Sequence, residues 1–161
     1  ALATAVLREH GIDVRPSFLP FTPWTRHADI VALLDFVHAH DLVGSVDPVQ
    51  YTIRLLLPEG SLLLTHPDLA PHLGGWDEPR MSYSWKAVEP AVDELQQQLA
   101  ALVEEQTALD TNEVEIYRLI REATGAPVVD LSSVSIGRPR LTESWFCCAE
   151  PTEAQLRAVA R

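Results

Sequence analysis

Val49-Gln50-Tyr51-Thr52-Ile53-Arg54-Leu55-Leu56-Leu57 is the stretch on which the fold turns. Val49, Tyr51, Ile53, Leu55 and Leu57 alternate with Gln50, Thr52, Arg54 and Leu56, the period-two pattern of a strand with one apolar face. Toward the N-terminus, Val43-Gly44-Ser45 predicts a turn, and Ile30, Leu33, Leu34 and Val37 recur at helical spacing behind Thr25, a residue type that caps helices. A second extended run, Val14 to Phe21, precedes that helix. Before it comes Ala1 to His10, rich in Ala and Leu and stopped by Gly11. Helix-length segments between strands predict right-handed crossovers and parallel pairing, the repeating unit of α/β barrels and doubly wound sheets.

Beyond Gly60 the texture changes. Pro67, Pro71, Pro79, Gly74 and Gly75 make residues 61–84 read as loop or short turns. Leu62, Leu63, Leu64, Leu73, Trp76 and Trp85 give this segment apolar surface to bury, so it reads as a structured connection and not a free linker. Val88, Val92, Leu95, Leu99, Leu102 and Val103 then mark an amphipathic helix with Pro90 in its first turn. A further helix runs from about Asn112 to Thr124, capped by Asp110 or Thr111 and ended by Gly125. Val128, Val129, Val134 and Ile136 follow without a clean period, which predicts an extended tail with at most one strand. The expected division is a barrel end at 1–60, a connection and helical extension at 61–125, and a tail at 126–161.

Composition narrows the function classes. With 161 residues, 47% of them hydrophobic, the chain is long enough to bury a real core. Twelve basic against 23 acidic side chains leave a net charge of -11, which repels a phosphate backbone and argues against general nucleic-acid binding. The apolar runs Leu55 to Leu57 and Leu62 to Leu64 fall far short of the ~20 residues of a membrane helix, so neither a span nor a secretory leader is expected. Cys147 and Cys148 are the two cysteines, and as neighbours they cannot close a long loop. This usage predicts a reducing, cytoplasmic setting. The chain starts at Ala1 inside a helical pattern and its one methionine is Met81, which predicts a fragment of a longer protein.

The polar face of the two predicted strands holds the first candidate site. Gln50, Thr52 and Arg54 lie on one strand, Arg15 and Ser17 on the other. A structural barrel lumen is filled with branched apolar side chains, whereas a polar one binds a ligand or water, because unpaired buried charge is expensive. Arginine suits a carboxylate. The competing reading places Arg54 and Arg15 at strand ends, facing solvent or a local acid. Phe21-Thr22-Pro23-Trp24-Thr25 and Pro58-Glu59-Gly60-Ser61 each follow a strand, where α/β proteins carry ligand loops, although turn chemistry alone also explains Pro and Gly there.

Cys147-Cys148 is the second candidate. A bond between adjacent cysteines closes a strained, reducible ring, while two thiolates can instead share a soft metal. The blander alternative is a pair of unreactive thiols. His66 and His72 flank a Pro-rich turn containing Asp68, but no zinc-type spacing occurs, so no metal ligands are assigned. His38 and His40 sit at a helix end that favours cations, and Trp76 and Trp85 read as packing anchors.

Taken in order, the two loops resemble the last two strand-loop units of radical S-adenosylmethionine barrels, where one strand ends in a Gly-x-Pro-x-x-Thr type turn and the next in Pro-Gly-Thr. Here the first lacks the glycine, and the second has one inserted residue and Ser61 for Thr. The ending Cys147-Cys148-Ala149-Glu150-Pro151 resembles the tail of the CUAEP/CCAEP-tail radical SAM proteins, some of which carry selenocysteine where Cys148 stands. The resemblance spans the chain and implies an α/β fold: the last strand-helix units of a partial (β/α) barrel, followed by a mainly helical C-terminal extension. It also implies S-adenosylmethionine and a 4Fe-4S cluster as cofactors of the parent enzyme. Ser17, Gln50 and Arg54 would then face the cofactor, and Cys147 and Cys148 would be the reactive residues.

The family's Cys-x3-Cys-x2-Cys cluster motif does not occur in this sequence, so the cluster ligands are expected upstream and the chain alone is expected to be inactive. Its implied partners are the upstream barrel half of the same protein and a small-molecule or peptide substrate. The rival reading is a non-catalytic helical module that docks through Val88 to Val103 and uses the cysteine pair as a thiol switch.

Overall fold

Asp47-Pro48 decides how the central stretch folds. In the structure, a computed structural model that describes residues 2–134, the Asp47 carboxylate accepts the Val49 amide N–H at 3.2 Å. Pro48 supplies a helical φ at the first position, so residues Pro48–Tyr51 coil into a 3-10 turn. The expected strand Val49 to Leu57 therefore begins late. Extended chain is confined to its second half, where Ile53, Leu55 and Leu57 are buried and Arg54 and Leu56 half-buried. Alternation survives there because one face still meets the core.

The other expected strand, Val14 to Phe21, also shortens. Pro16 and Pro20 lack the N–H groups that a ladder needs, and pairing is reached at Phe21. Phe21 donates to the Ile53 carbonyl at 3.2 Å and accepts from the Leu55 amide at 2.9 Å. Phe21 and Arg54 thus form one parallel bridge, and neither run makes a named strand.

Helices α1 (Leu2–Glu9) and α2 (His27–Ala39) flank the first extended run. The cap of α2 is Arg26, one residue later than Thr25, because Asp29 reaches back to accept the Arg26 amide at 2.8 Å. Ile30, Leu34 and Val37 are its buried face. Helix α3 (Pro90–Ala108) buries Val92, Leu95, Leu99 and Val103, while Val88 stays exposed and Leu102 half-buried. Helix α4 (Glu113–Ala123) starts at Asn112, whose side chain accepts the Glu115 amide at 2.9 Å, and not at Asp110 or Thr111. Gly125, at φ 65°, ends it in the left-handed region.

The segment expected as loop instead holds a hairpin whose second strand runs one residue past it. β1 (Leu73–Asp77) and β2 (Ser82–Trp85) form an antiparallel hairpin pairing Trp76 with Tyr83 and Asp77 with Ser82. Gly74 permits the close approach: a Cβ there would lie 2.3 Å from the Ser84 hydroxyl. Asp77 holds the turn by accepting from the Arg80 amide at 3.2 Å and its guanidinium at 2.7 Å. Tyr83 donates to the Leu57 carbonyl at 2.8 Å, tying the hairpin to the end of the central stretch. Helices α2, α3 and α4 and this small sheet share one apolar core that runs from Phe21 to Ala126, with Val129, Leu131 and Val134 packed against it.

Three surface carboxylates are held below their usual range. A side-chain bond from Arg80 does this for Asp77, one from Arg118 for Glu115, and the Ser132 amide for Asp130. Each is depressed in the folded chain, so its contribution to stability is present above the ordinary carboxylate pKa and is lost as pH falls through the lowered one. NMR titration should give each a midpoint below that of a model peptide. Arg118→Ala should raise the Glu115 midpoint and leave Asp77 in place, and an unmoved Glu115 would contradict the assignment.

Candidate functional site

The Phe21–Thr25 turn follows directly on the Phe21–Arg54 bridge, and the Pro58–Ser61 turn follows the bridged stretch on its other side. In the first, the Thr25 hydroxyl lies 2.9 Å from the Pro20 carbonyl, 3.0 Å from the Thr22 amide and 2.9 Å from the Thr22 hydroxyl. A carbonyl only accepts, so the single Thr25 proton goes to Pro20, and the Thr22 hydroxyl must donate to Thr25. Thr25 therefore locks the Phe21–Thr25 turn. Val88 donates to the Pro23 carbonyl at 2.8 Å, fastening the same turn to the start of α3. Trp24 donates its indole N–H to the Asp68 carbonyl at 3.3 Å and meets the His66 ring edge-on at 6.5 Å. In the second turn, Gly60 takes φ 81° and Ser61 accepts the Leu63 amide at 3.4 Å.

Ser17 and Gln50, distant in sequence, meet directly. The Gln50 carbonyl oxygen accepts the Ser17 hydroxyl at 3.0 Å and the Phe18 amide at 2.8 Å. The Phe18 amide can only donate, which fixes the orientation of the Gln50 amide group. Gln50 is buried and splints the extended run onto the 3-10 turn.

Arg54 lies elsewhere in the contact network. Its guanidinium stacks 3.5 Å from the centroid of Trp85, donates to Asp93 at 2.5 Å and to the Trp85 carbonyl at 2.5 Å. Asp93 also accepts the Ala87 amide at 2.9 Å, and the Trp85 indole donates to the Leu55 carbonyl at 2.8 Å. The cluster joins the central stretch, β2 and the first turn of α3. A local acid thus holds Arg54. Arg15 likewise meets Asp47 at 3.1 Å, and the Thr52 hydroxyl donates to the Val49 carbonyl.

A second polar cluster escaped the sequence reading. Arg121 is 3% exposed and donates to Asp35 at 2.8 Å, to the Tyr117 hydroxyl at 3.2 Å and to the Pro127 carbonyl at 2.6 and 3.0 Å. Burial opposes its charge, but the bonds to Asp35 and Tyr117 outweigh that and hold its pKa above the ordinary value. Tyr117 donates to the Leu34 carbonyl at 2.6 Å. Its tilted ring neighbour, Tyr51, has a buried hydroxyl with no hydrogen-bond partner among the described residues, and burial, followed by Tyr117, pushes that phenol far upward. The single signal in the sequence was an arginine on the apolar face of α4, one turn after Tyr117.

Removing the unpaired Tyr51 hydroxyl should help the fold. Tyr51→Phe is expected to gain about 1 kcal/mol, since a buried polar group without a partner costs roughly 1–3 kcal/mol. Thermal melts should show a rise of about 2–4 °C. A lowered Tm would mean that the hydroxyl is paired in solution.

Among the described residues, no group of three or more His, Cys, Asp or Glu side chains is placed to hold a metal ion. Cys147 and Cys148, with Trp145 and Phe146, lie outside the described residues. Among the described residues no helix is long and apolar enough to cross a membrane. Comparison with protein-family models, curated proteins and solved structures gave no match.

Proposed function

We propose that this chain is the C-terminal part of a radical S-adenosylmethionine enzyme of the CUAEP/CCAEP-tail type, completed by an upstream barrel half that carries the 4Fe-4S ligands. The observation that carries this reading is the parallel Phe21–Arg54 bridge, which pairs the two extended segments that lead into the Phe21–Thr25 and Pro58–Ser61 turns. Supporting it, apolar surface is open on the N-terminal segment. Val6, Ile12 and Leu19 are exposed, and an open groove of about 210 Å³ lies between Phe18, Leu19 and Pro20 on one side and Ile30 and Leu33 of α2 on the other. An upstream barrel half would cover this surface.

In the complete enzyme, the cluster and S-adenosylmethionine supply the radical chemistry. Ser17 and Gln50 would contribute by fixing the first extended segment, and Arg54, in its separate cluster, would meet a ligand carboxylate with the guanidinium that Asp93 now holds. Cys148 is the reactive member of the tail pair: a selenol is more acidic and more nucleophilic than a thiol, so its use at this position in relatives makes sense where the side chain reacts.

The test begins with the reading frame upstream of Ala1, which should encode Cys-x3-Cys-x2-Cys. The full-length protein, reconstituted with iron and sulfide without oxygen, should then show cluster absorbance and bind S-adenosylmethionine. Deuterium uptake at residues 12–20 should also be lower in the full-length protein than in the chain alone. A frame without the motif overturns the reading, as does a full-length protein that forms no cluster. Alkylation of Cys148 no faster than a model thiol, with full activity in both Cys147→Ser and Cys148→Ser, removes the tail from the chemistry.

A further inference from the structure

We draw no further inference here: the strongest candidate, the exposed Trp24–His66 pair that Asp68 ties together beside the ends of the two extended segments, is an uncovered surface patch, and nothing in the structure shows what covers it.

Discussion

Arg54→Ala should destabilise the chain by about 2–3 kcal/mol, the low side of the cost of removing one partner from a buried pair, because both side chains keep some solvent contact. The side chains of Arg54 and Asp93 are 16% and 22% exposed, so water screens part of the lost attraction. Three losses act together. Asp93 keeps only the Ala87 amide among the two bonds described for it, the Trp85 carbonyl loses a donor, and the Trp85 ring loses a stacked guanidinium. Arg54→Lys should recover less than half the loss, since an ammonium cannot match the fork that bonds Asp93 and Trp85 while lying flat on the ring. Urea melts of the three proteins decide this. A cost below about 0.5 kcal/mol for Arg54→Ala, the range of an ordinary surface change, would show that the cluster is not a structural clamp. The same result bears on the proposed function: for S-adenosylmethionine binding to the full-length protein, a loss on Arg54→Ala counts as direct contact only if Asp93→Asn, which leaves the guanidinium present, does not reproduce it.

Arg121→Met should cost a similar amount, about 2–4 kcal/mol, through loss of the charge-assisted bonds that a buried guanidinium makes to Asp35, Tyr117 and the Pro127 carbonyl. Tyr117 retains its bond to the Leu34 carbonyl, and Asp35 is 54% exposed, so no fully buried charge is stranded. The damage should be local first. The segment after α4 is fastened along α2 by Arg121 to Pro127, by His27 to the Thr124 carbonyl at 2.9 Å and by His38 to the Asp130 carbonyl at 3.1 Å. Removing the central tie should raise deuterium uptake at residues 126–131 before the global transition. For Arg54→Ala, uptake should rise instead in β2 and the first turn of α3. Identical exchange patterns in the two variants would mean that the clusters do not act as separate ties.

Several features were legible in the residues alone. The spacing of Ile30, Leu34 and Val37, and of Val92, Leu95, Leu99 and Val103, marks the buried faces of α2 and α3, because helical periodicity is a local property that packing then uses. Gly125 marks the end of α4 for an equally local reason, its left-handed φ. The caps were missed by one or two residues. Asn112 is as suited to capping as Asp110 or Thr111, and in α2 Asp29 of the first turn fixes the start at Arg26, so the position is settled by which side chain reaches an amide.

The strands were the harder problem. Alternation over Val49 to Leu57 is real, yet Asp47-Pro48 starts a turn that consumes its first half, a local signal within the longer pattern. Conversely, Gly74, Gly75 and Pro79 made residues 61–84 look irregular, although Gly74 is what lets β1 approach Ser84. Ser17 with Gln50 was read as one polar face, and the two do meet, but through a bond that splints backbone.

Sequence by itself determined the helices, the helix-ending glycine, the acidic balance and the order of the two loop turns, since each depends on residues close in the chain or on composition. Tertiary structure alone decided what the charged residues do. Arg54 and Arg121 find Asp93 and Asp35 across long stretches of chain, 39 and 86 residues away, and no local pattern can announce such partners. The physical reason is the cost of burying a guanidinium: the fold must bring a carboxylate or carbonyl to it from wherever the chain supplies one, and that choice exists only after the helices have packed.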